Sequence, residues 1–112
     1  MPHLIIEYAA PLKDEIDIQK LVEDAFAGAE ESDLFDPVDI KVRATPVEDY
    51  STGGTDQAFV HIDIKLLPGR TTAQKKDLAE RVLNKVAAIV KNDVAISVEI
   101  NTLDGDTYTK RA

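Results

Sequence analysis

The sequence has 112 residues, a length typical of one domain, with 44% hydrophobic and 30% charged residues as in ordinary folded proteins. Its net charge of −8 argues against nucleic-acid and membrane-surface partners, which require clustered Lys and Arg. Because it contains no cysteine, disulfides, thiolate chemistry and zinc sites with sulfur ligands are excluded. No apolar run is long enough for a membrane span or a signal peptide, so we expect a cytoplasmic protein.

The first predicted element is a strand that begins at Pro2. Apolar residues alternate with their neighbours in the period of a strand: Leu4, Ile6 and Tyr8 against His3, Ile5 and Glu7. If Met1 is removed, Pro2 carries a free secondary amine that can act as a base. The simpler interpretation is that proline is well tolerated as the first residue of a strand.

A helical pattern follows the first strand. Its apolar positions have three- and four-residue spacing: Ile18, Leu21, Val22, Ala25, Phe26 and Ala29. We expect the helix to begin at about residue 14, with Asp14 or Asp17 as its N-terminal cap. Gly28 and the acidic residues 30–33 are expected to end it.

The second strand is predicted at about residues 38–47, and one of its sides carries the cations Lys41 and Arg43. Residues 48–56 are rich in Ser, Thr and Gly and predict a loop between two halves of the chain. This loop lacks the lysine and the following helix of a phosphate-binding loop.

The second half repeats the order of the first half. A strand at residues 58–67 has an apolar side with Val60, Ile62, Ile64 and Leu66, and a mixed side with Phe59, His61, Asp63 and Lys65. Thr71 and Gln74 predict a capping box for a helix that runs to about residue 91. A last strand is predicted at residues 94–102, before a polar tail that contains Tyr108.

This order predicts an α+β fold of β-α-β-β-α-β type in a single domain over residues 1–112, with two βαβ halves at about 2–50 and 57–103. Right-handed crossovers place both helices on one face of a four-stranded sheet. The opposite face would carry charges of both signs, on Glu7, Lys41, Arg43, His61, Asp63, Lys65 and Glu99. Such a face suits either solvent or contact with another subunit.

Three segments, residues 2–7, 40–43 and 58–71, resemble the 5-carboxymethyl-2-hydroxymuconate isomerases. That family belongs to the tautomerase superfamily, which also holds 4-oxalocrotonate tautomerase. The resemblance extends from Pro2 to about Ile100. It implies a tautomerase-like fold and a homotrimer whose sheets face inward and whose active sites lie near subunit interfaces.

The resemblance also implies a reaction. Processed Pro2 would act as the general base of an isomerase that moves a proton within an unsaturated enol or keto dicarboxylate from aromatic breakdown. The reaction would require no cofactor and no metal. Arg70 and Lys41 would complete the catalytic group, although Lys41 stands where the family pattern usually has an arginine.

Three further residues are predicted to bind the substrate: Arg43, Tyr50 and Phe59. Arg43 lies two residues beyond Lys41 on the same strand side, and the two aromatic rings can form the wall of an apolar pocket. An amine base works best with a pKa near the working pH, which desolvation and nearby cations can provide. A small-molecule carboxylate is therefore the expected partner of this chain.

The candidate residues also have structural interpretations. Arg70 can be a surface arginine after a turn, and Lys41 and Arg43 can form ion pairs at an interface. We expect His61 to pack with Glu7 or Asp63 rather than to transfer protons. The alternative function is a non-enzymatic βαββαβ module that binds a small molecule or drives oligomerisation.

Overall fold

The computed structural model describes residues 1–111 and confirms the predicted order of strands and helices. Its elements are β1 (Pro2–Ala9), α1 (Ile18–Glu31), β2 (Lys41–Val47), β3 (Phe59–Leu66), α2 (Thr72–Ala87) and β4 (Ala95–Thr102). Short 3₁₀ turns at Ala10–Asp14 and Pro37–Asp39 precede α1 and β2. Neither helix of the described residues is long and apolar enough to span a bilayer.

The strands within residues 1–111 form one mixed sheet in the order β2-β1-β3-β4. β1 runs parallel to β2 and β3 runs parallel to β4, while an antiparallel pair of β1 and β3 joins the two halves. Parallel neighbours need a crossover connection, which α1 and α2 provide. The predicted fold with two βαβ halves is therefore confirmed.

The core lies between the helices and one face of the sheet. Its fully buried side chains come from both layers and include Leu4, Ile6, Ile62 and Ile64 of the sheet and Leu21, Leu78, Val82 and Val86 of the helices. Burying one side chain of this size stabilises the fold by about 1.5–3 kcal/mol. The apolar period of each element therefore decides which face of the sheet the helices cover.

The two helices lie close together at Gly28. A Cβ atom at this position would lie 2.8 Å from the Cα of Val82 and 3.0 Å from the carbonyl oxygen of Arg81. The prediction that Gly28 helps to end the first helix is wrong, since α1 continues to Glu31. Glycine lies inside α1 because the backbone of α2 occupies the space that a side chain would need.

The predicted helix caps are confirmed in part. The backbone N–H of Gln19 donates to the Asp17 carboxylate at 3.0 Å, so Asp17 caps α1, while Asp14 belongs to the preceding 3₁₀ turn. At α2 the capping box is complete: the Gln74 N–H donates to the Thr71 hydroxyl at 3.1 Å, and the Thr71 N–H donates to the Gln74 side chain at 2.8 Å. Local side-chain acceptors thus set both helix starts.

Three predicted boundaries are wrong. α1 begins at Ile18 rather than at about residue 14. β2 begins at Lys41 rather than residue 38, because Pro37 and the bond from the Val38 N–H to the Asp36 carboxylate form a 3₁₀ turn instead. α2 ends at Ala87 rather than residue 91. The N–H of Ile89 donates to Val86, three residues back, so the chain turns out of the helix while Ile89 stays partly buried against the core.

The face of the sheet opposite the helices is open to solvent in the single chain. The exposed or half-buried side chains on this face include all of the predicted charged set: Glu7, Lys41, Arg43, His61, Asp63, Lys65 and Glu99. They alternate along their strands with the residues that face the helices. The prediction of a charged, uncovered sheet face is therefore confirmed for the single chain.

Candidate active site

Pro2 begins β1 at the end of the sheet where β2 begins and β3 ends. Its register partner on β3 is Leu66, and its side chain is fully buried, whereas Met1 is half-buried. Proline has no backbone N–H, so its place at the first position of the strand leaves no donor unpaired. Removal of Met1 would turn the ring nitrogen of Pro2 into an amine in an ordered, partly desolvated place.

The environment of the N-terminal amino group favours the neutral amine. Burial has the largest effect and lowers the pKa of the Met1 amino group; the Asp39 carboxylate raises it, and Arg70, Lys110 and Lys41 lower it again. Both burial and nearby cations disfavour a second positive charge. Because consecutive Cα atoms are only about 3.8 Å apart, the same groups would surround a Pro2 amine.

Lys41 reaches the N-terminus from the first position of β2. Its register partner is His3, and its ammonium donates to the sulfur of Met1 at 3.5 Å. A thioether sulfur is a weak acceptor. The Lys41 ammonium would therefore lose little when Met1 is removed, and it could then bind a carboxylate.

Arg70 reaches the same region from the turn before α2. Its Nη2 donates to the carbonyl oxygen of Leu34 at 2.7 Å, and its guanidinium carbon lies 5.2 Å from the centre of the Phe35 ring. These contacts fix the guanidinium, which is half-buried rather than a mobile surface group. Because a guanidinium has five N–H donors, Arg70 retains donors for an anion.

Arg43 lies on the same side of β2 as Lys41 but binds His3. Its Nη1 contacts His3 Nδ1 at 3.1 Å, and His3 Nε2 contacts the Tyr108 hydroxyl at 2.8 Å. A guanidinium can only donate, so Nδ1 accepts and the proton of the neutral imidazole is on Nε2. Burial, followed by Arg43 and Lys41, lowers the pKa of His3, in agreement with this neutral state. The role of Arg43 in substrate binding stays a prediction.

The His61 side chain hydrogen-bonds to side chains of β4, while Glu7, one of its two predicted packing partners, is its register partner on β1. Its Nδ1 lies 2.6 Å from the Ser97 hydroxyl, and its Nε2 lies 2.5 Å from the Glu99 carboxylate. The register explains this choice, because Ser97 pairs with His61 and Glu99 follows on the same strand face.

The acidic groups beside His61 are also paired. Asn101 donates to Asp63 at 2.7 Å and to Glu99 at 2.8 Å, while the Lys65 ammonium lies 3.3 Å from Asp63. The hydrogen bonds from Asn101 and then from His61 lower the pKa of Glu99. Within residues 1–111, no three His, Asp or Glu side chains are grouped so that they could hold a metal ion.

Tyr50 and Phe59 lie at the opposite end of the sheet from Pro2. Val60 pairs with Tyr8 near the end of β1, so Phe59 is separated from Pro2 by about 23 Å at 3.3 Å per strand residue. The two rings pack edge to face with centroids 5.3 Å apart, and Tyr50 lines a cavity of about 310 Å³ there. Their predicted substrate contact therefore requires a second copy of the chain.

Two charged residues that lie near the N-terminal amino group in space are not predicted from the sequence. Asp39 lies in the turn before β2, and Lys110 lies in the polar tail, yet both act on the amino group of Met1. Neither belongs to a periodic pattern. The only signal in the tail is Tyr108, a half-buried aromatic residue among polar neighbours.

Known proteins resemble this chain in sequence and fold. The sequence model for 5-carboxymethyl-2-hydroxymuconate isomerase matches residues 2–112. A solved 5-carboxymethyl-2-hydroxymuconate delta-isomerase has a TM-score of 0.82 and 18% identity, covering 100% of this chain and 88% of its own. A 5-carboxymethyl-2-hydroxymuconate isomerase from Deinococcus radiodurans R1 has a TM-score of 0.82 and 23% identity, covering 98% of this chain and 88% of its own.

A more distant solved relative shares the same fold. It is a fused 4-OT wild-type symmetric trimer with a TM-score of 0.73 and 17% identity, covering 90% of this chain and 86% of its own. No curated protein sequence matches the chain. The solved structures therefore establish the fold, and the match over residues 2–112 carries the family assignment.

Proposed function

The chain belongs to the 5-carboxymethyl-2-hydroxymuconate isomerase family, and from this premise we propose that it moves a proton within an unsaturated enol or keto dicarboxylate. Family membership makes the chain an isomerase with a tautomerase-like fold. The alternative of a non-enzymatic binding module is thereby set aside.

Pro2, after removal of Met1, is the proposed general base. Its neutral amine accepts the hydroxyl proton of the enol, and the O–H electron pair forms the carbonyl as the conjugated double bonds shift. The prolinium then returns the proton to a carbon at the far end of the conjugated system. The same nitrogen acts as base and acid, so no cofactor is needed.

Lys41 and Arg70 are the residues proposed to bind the negatively charged groups of the substrate. The substrate brings two carboxylates, and its oxygen becomes more negative when the enol proton leaves. Cations that are already in place stabilise this developing charge without reorganisation. Arg70 can hold a carboxylate through two parallel N–H bonds, whereas Lys41 acts as a point charge.

The observation that supports the proposal most strongly is the convergence of cations on the start of β1. The protein has a net charge of −8, yet Arg70 and Lys41 come from different elements and both lower the pKa of the same amino group. Nearby cations keep an amine neutral and also attract a dianionic substrate. One arrangement therefore serves both requirements of the reaction.

We further propose a homotrimer whose sheets face inward. The polar sheet face is uncovered in the single chain, and Tyr50 and Phe59 can approach a Pro2 site only from a neighbouring copy. A structural relative is described as a symmetric trimer. In this assembly Arg43, Tyr50 and Phe59 are the proposed substrate-binding residues. Aromatic breakdown as the source of the substrate and a cytoplasmic location remain predictions.

The proposed base is tested with three proteins of verified N-terminal mass: one that starts at Pro2, one with a short extension before Pro2, and the Pro2→Ala variant. The assay follows ketonisation of an unsaturated 2-hydroxy dicarboxylate by its ultraviolet absorbance. We expect kcat/KM to fall by about a hundredfold or more in the second and third proteins, because each lacks the secondary amine. Equal rates in all three proteins would exclude the proline mechanism.

The proposed assembly is tested independently by the molar mass in solution. We expect three times the mass of the chain at micromolar concentration. A stable monomer that retains full isomerase activity would contradict the trimer and would remove Tyr50 and Phe59 from the site.

A further inference from the structure

The segment after β4 turns back across the end of the sheet where Pro2 lies. The N–H of Leu103 donates to the carbonyl oxygen of Leu66 at 2.7 Å, and Leu66 is the register partner of Pro2. Gly105 lies close to Pro68, since a Cβ at Gly105 would be 3.3 Å from the Pro68 ring. These contacts bring the tail next to the start of β1.

A compact turn then directs Tyr108 towards His3. The carbonyl oxygen of Asp104 accepts from the N–H of Thr107 at 3.3 Å and from the N–H of Tyr108 at 3.0 Å. The Tyr108 hydroxyl lies 2.8 Å from His3 Nε2, and the two rings meet edge to face with centroids 6.0 Å apart. His3 follows Pro2 directly, so this bond fastens the tail beside the candidate base.

His3 is itself fixed by a second contact. Arg43 donates to His3 Nδ1 at 3.1 Å, which places the imidazole proton on Nε2, where it faces the Tyr108 oxygen. Arg43, His3 and Tyr108 therefore form a hydrogen-bonded chain across the open face, from β2 through β1 to the tail. No step of the proposed proton transfer uses this chain.

Lys110 lies two residues beyond Tyr108. Two residues span at most about 7 Å, so the backbone of Lys110 stays within that distance of the backbone of Tyr108, whose hydroxyl bonds His3 beside the start of β1. Its charge acts on the amino group of Met1 in the same direction as Arg70 and Lys41. Among the salt bridges within residues 1–111, none includes Lys110.

We infer that the Arg43–His3–Tyr108 chain positions Lys110 beside Pro2, where the Lys110 ammonium binds a carboxylate of the substrate. The inference rests on the proposed carboxylate site and adds a further cation to Lys41, Arg70 and Arg43. A dicarboxylate has two negative groups in addition to the reacting oxygen, so an additional cation favours it over a monocarboxylate. Lys110 is thus a specificity residue, and Tyr108 is its positioning residue.

The test measures binding of glutarate, a saturated dicarboxylate that cannot isomerise, to Pro2-start protein by titration calorimetry. We expect Lys110→Gln to weaken glutarate binding about three- to fivefold and to leave the weaker binding of butyrate nearly unchanged. Lys110→Arg should restore the affinity for glutarate. Lys76→Gln is the matched control, because it removes the same charge from an exposed position on α2.

Tyr108→Phe tests the positioning role. It removes the hydroxyl that bonds His3 and should weaken glutarate binding in the same direction as Lys110→Gln, by a smaller factor. The double variant should bind glutarate no more weakly than Lys110→Gln alone, because Tyr108 acts through Lys110. Thermal unfolding of each variant verifies that the protein is folded.

Several results would overturn the inference. Unchanged glutarate affinity in Lys110→Gln, or an equal loss in Lys76→Gln, removes Lys110 from the site. Independent losses in the double variant remove the positioning role of Tyr108. If Arg70→Gln weakens glutarate binding and Lys110→Gln does not, the proposed carboxylate site stands and the inference alone fails. Absence of glutarate binding by the unmodified protein contradicts the carboxylate site and the inference together.

Discussion

The two sides of the open sheet face, one formed by β2 and β1 and the other by β3 and β4, use similar residues differently. At the start of β1 and β2, the Lys41 ammonium bonds only a weak sulfur acceptor among residues 1–111, and Arg70 retains unused donors. On β3 and β4, Glu99 accepts from both His61 and Asn101. The first region retains hydrogen-bonding capacity for a ligand, whereas the second uses its capacity within the fold.

This difference separates residues that look equivalent in the sequence. Lys41 and His61 are both polar residues on the open side of a strand, and each has a functional and a structural interpretation. The register decides between them, because β4 supplies Ser97 and Glu99 to His61, while Lys41 lies at the exposed outer strand. A candidate binding residue is therefore identified by what its neighbours leave unpaired.

Among substitutions of charged residues, the largest expected effect on activity comes from Arg70→Gln. We expect kcat/KM for a dicarboxylate to fall at least about tenfold, because the variant loses the charge that would face the substrate. Loss of the contacts with Leu34 and Phe35 should also cost about 1–2 kcal/mol in the free energy of unfolding. Arg81→Gln on the exposed side of α2 is the control, and equal activities of the two variants would place Arg70 outside the site.

A smaller effect is expected from charge changes around the amine. Lys41→Gln should raise the pKa of the Pro2 amine and move the acid limb of the kcat/KM profile to higher pH, because a cation that disfavours protonation is lost. Asp39→Asn should move the limb to lower pH, since Asp39 has the opposite effect. The pH dependence of kcat/KM checks both shifts, and shifts of the same sign in the two variants would contradict this electrostatic account.

The smallest effect on activity is expected from Glu99→Gln in the paired region. We expect kcat/KM to stay within about twofold of the original, because Glu99 is bonded to its own fold rather than to substrate. A tenfold loss of kcat/KM would contradict the proposed difference between the two regions.

Glu99→Gln should instead change the response of stability to acid. The pKa of Glu99 is lowered in the fold from 4.5, so its contribution is present above that pH and is lost as the pH falls through the lowered pKa. Glutamine does not titrate, so the stability of the variant does not include this contribution at pH 7 and does not lose it as the pH falls. Urea midpoints at pH 7 and pH 3 measure the change, which should be smaller in Glu99→Gln than in the original protein.

Much of the fold is predictable because periodicity and caps are local signals. Alternation in β1 and β3 predicts the buried sheet face, and Thr71 with Gln74 predicts the start of α2 correctly. The errors come from competing local geometry: Pro37 and Asp36 replace the start of β2 with a 3₁₀ turn. The prediction that Gly28 helps to end α1 fails because the glycine is required by the close backbone of α2, which lies far away in sequence.

The candidate site is predictable only in part. Pro2, Lys41 and Arg70 lie in segments whose pattern resembles the family, and the structure places the cations around the N-terminal amino group. Asp39 and Lys110 are invisible to the sequence analysis, because their position depends on a turn and on the bond between Tyr108 and His3. Contacts between residues 105 positions apart leave no periodic signal.

The central claim is that the fold keeps the Pro2 amine neutral for use as a base. The most direct test is titration of the Pro2 nitrogen by NMR in ¹⁵N-proline protein that starts at Pro2, folded and in concentrated urea. We predict a lower pKa in the folded protein, and an increase of that pKa in Arg70→Gln. A folded-state pKa equal to or above that in urea would contradict the claim.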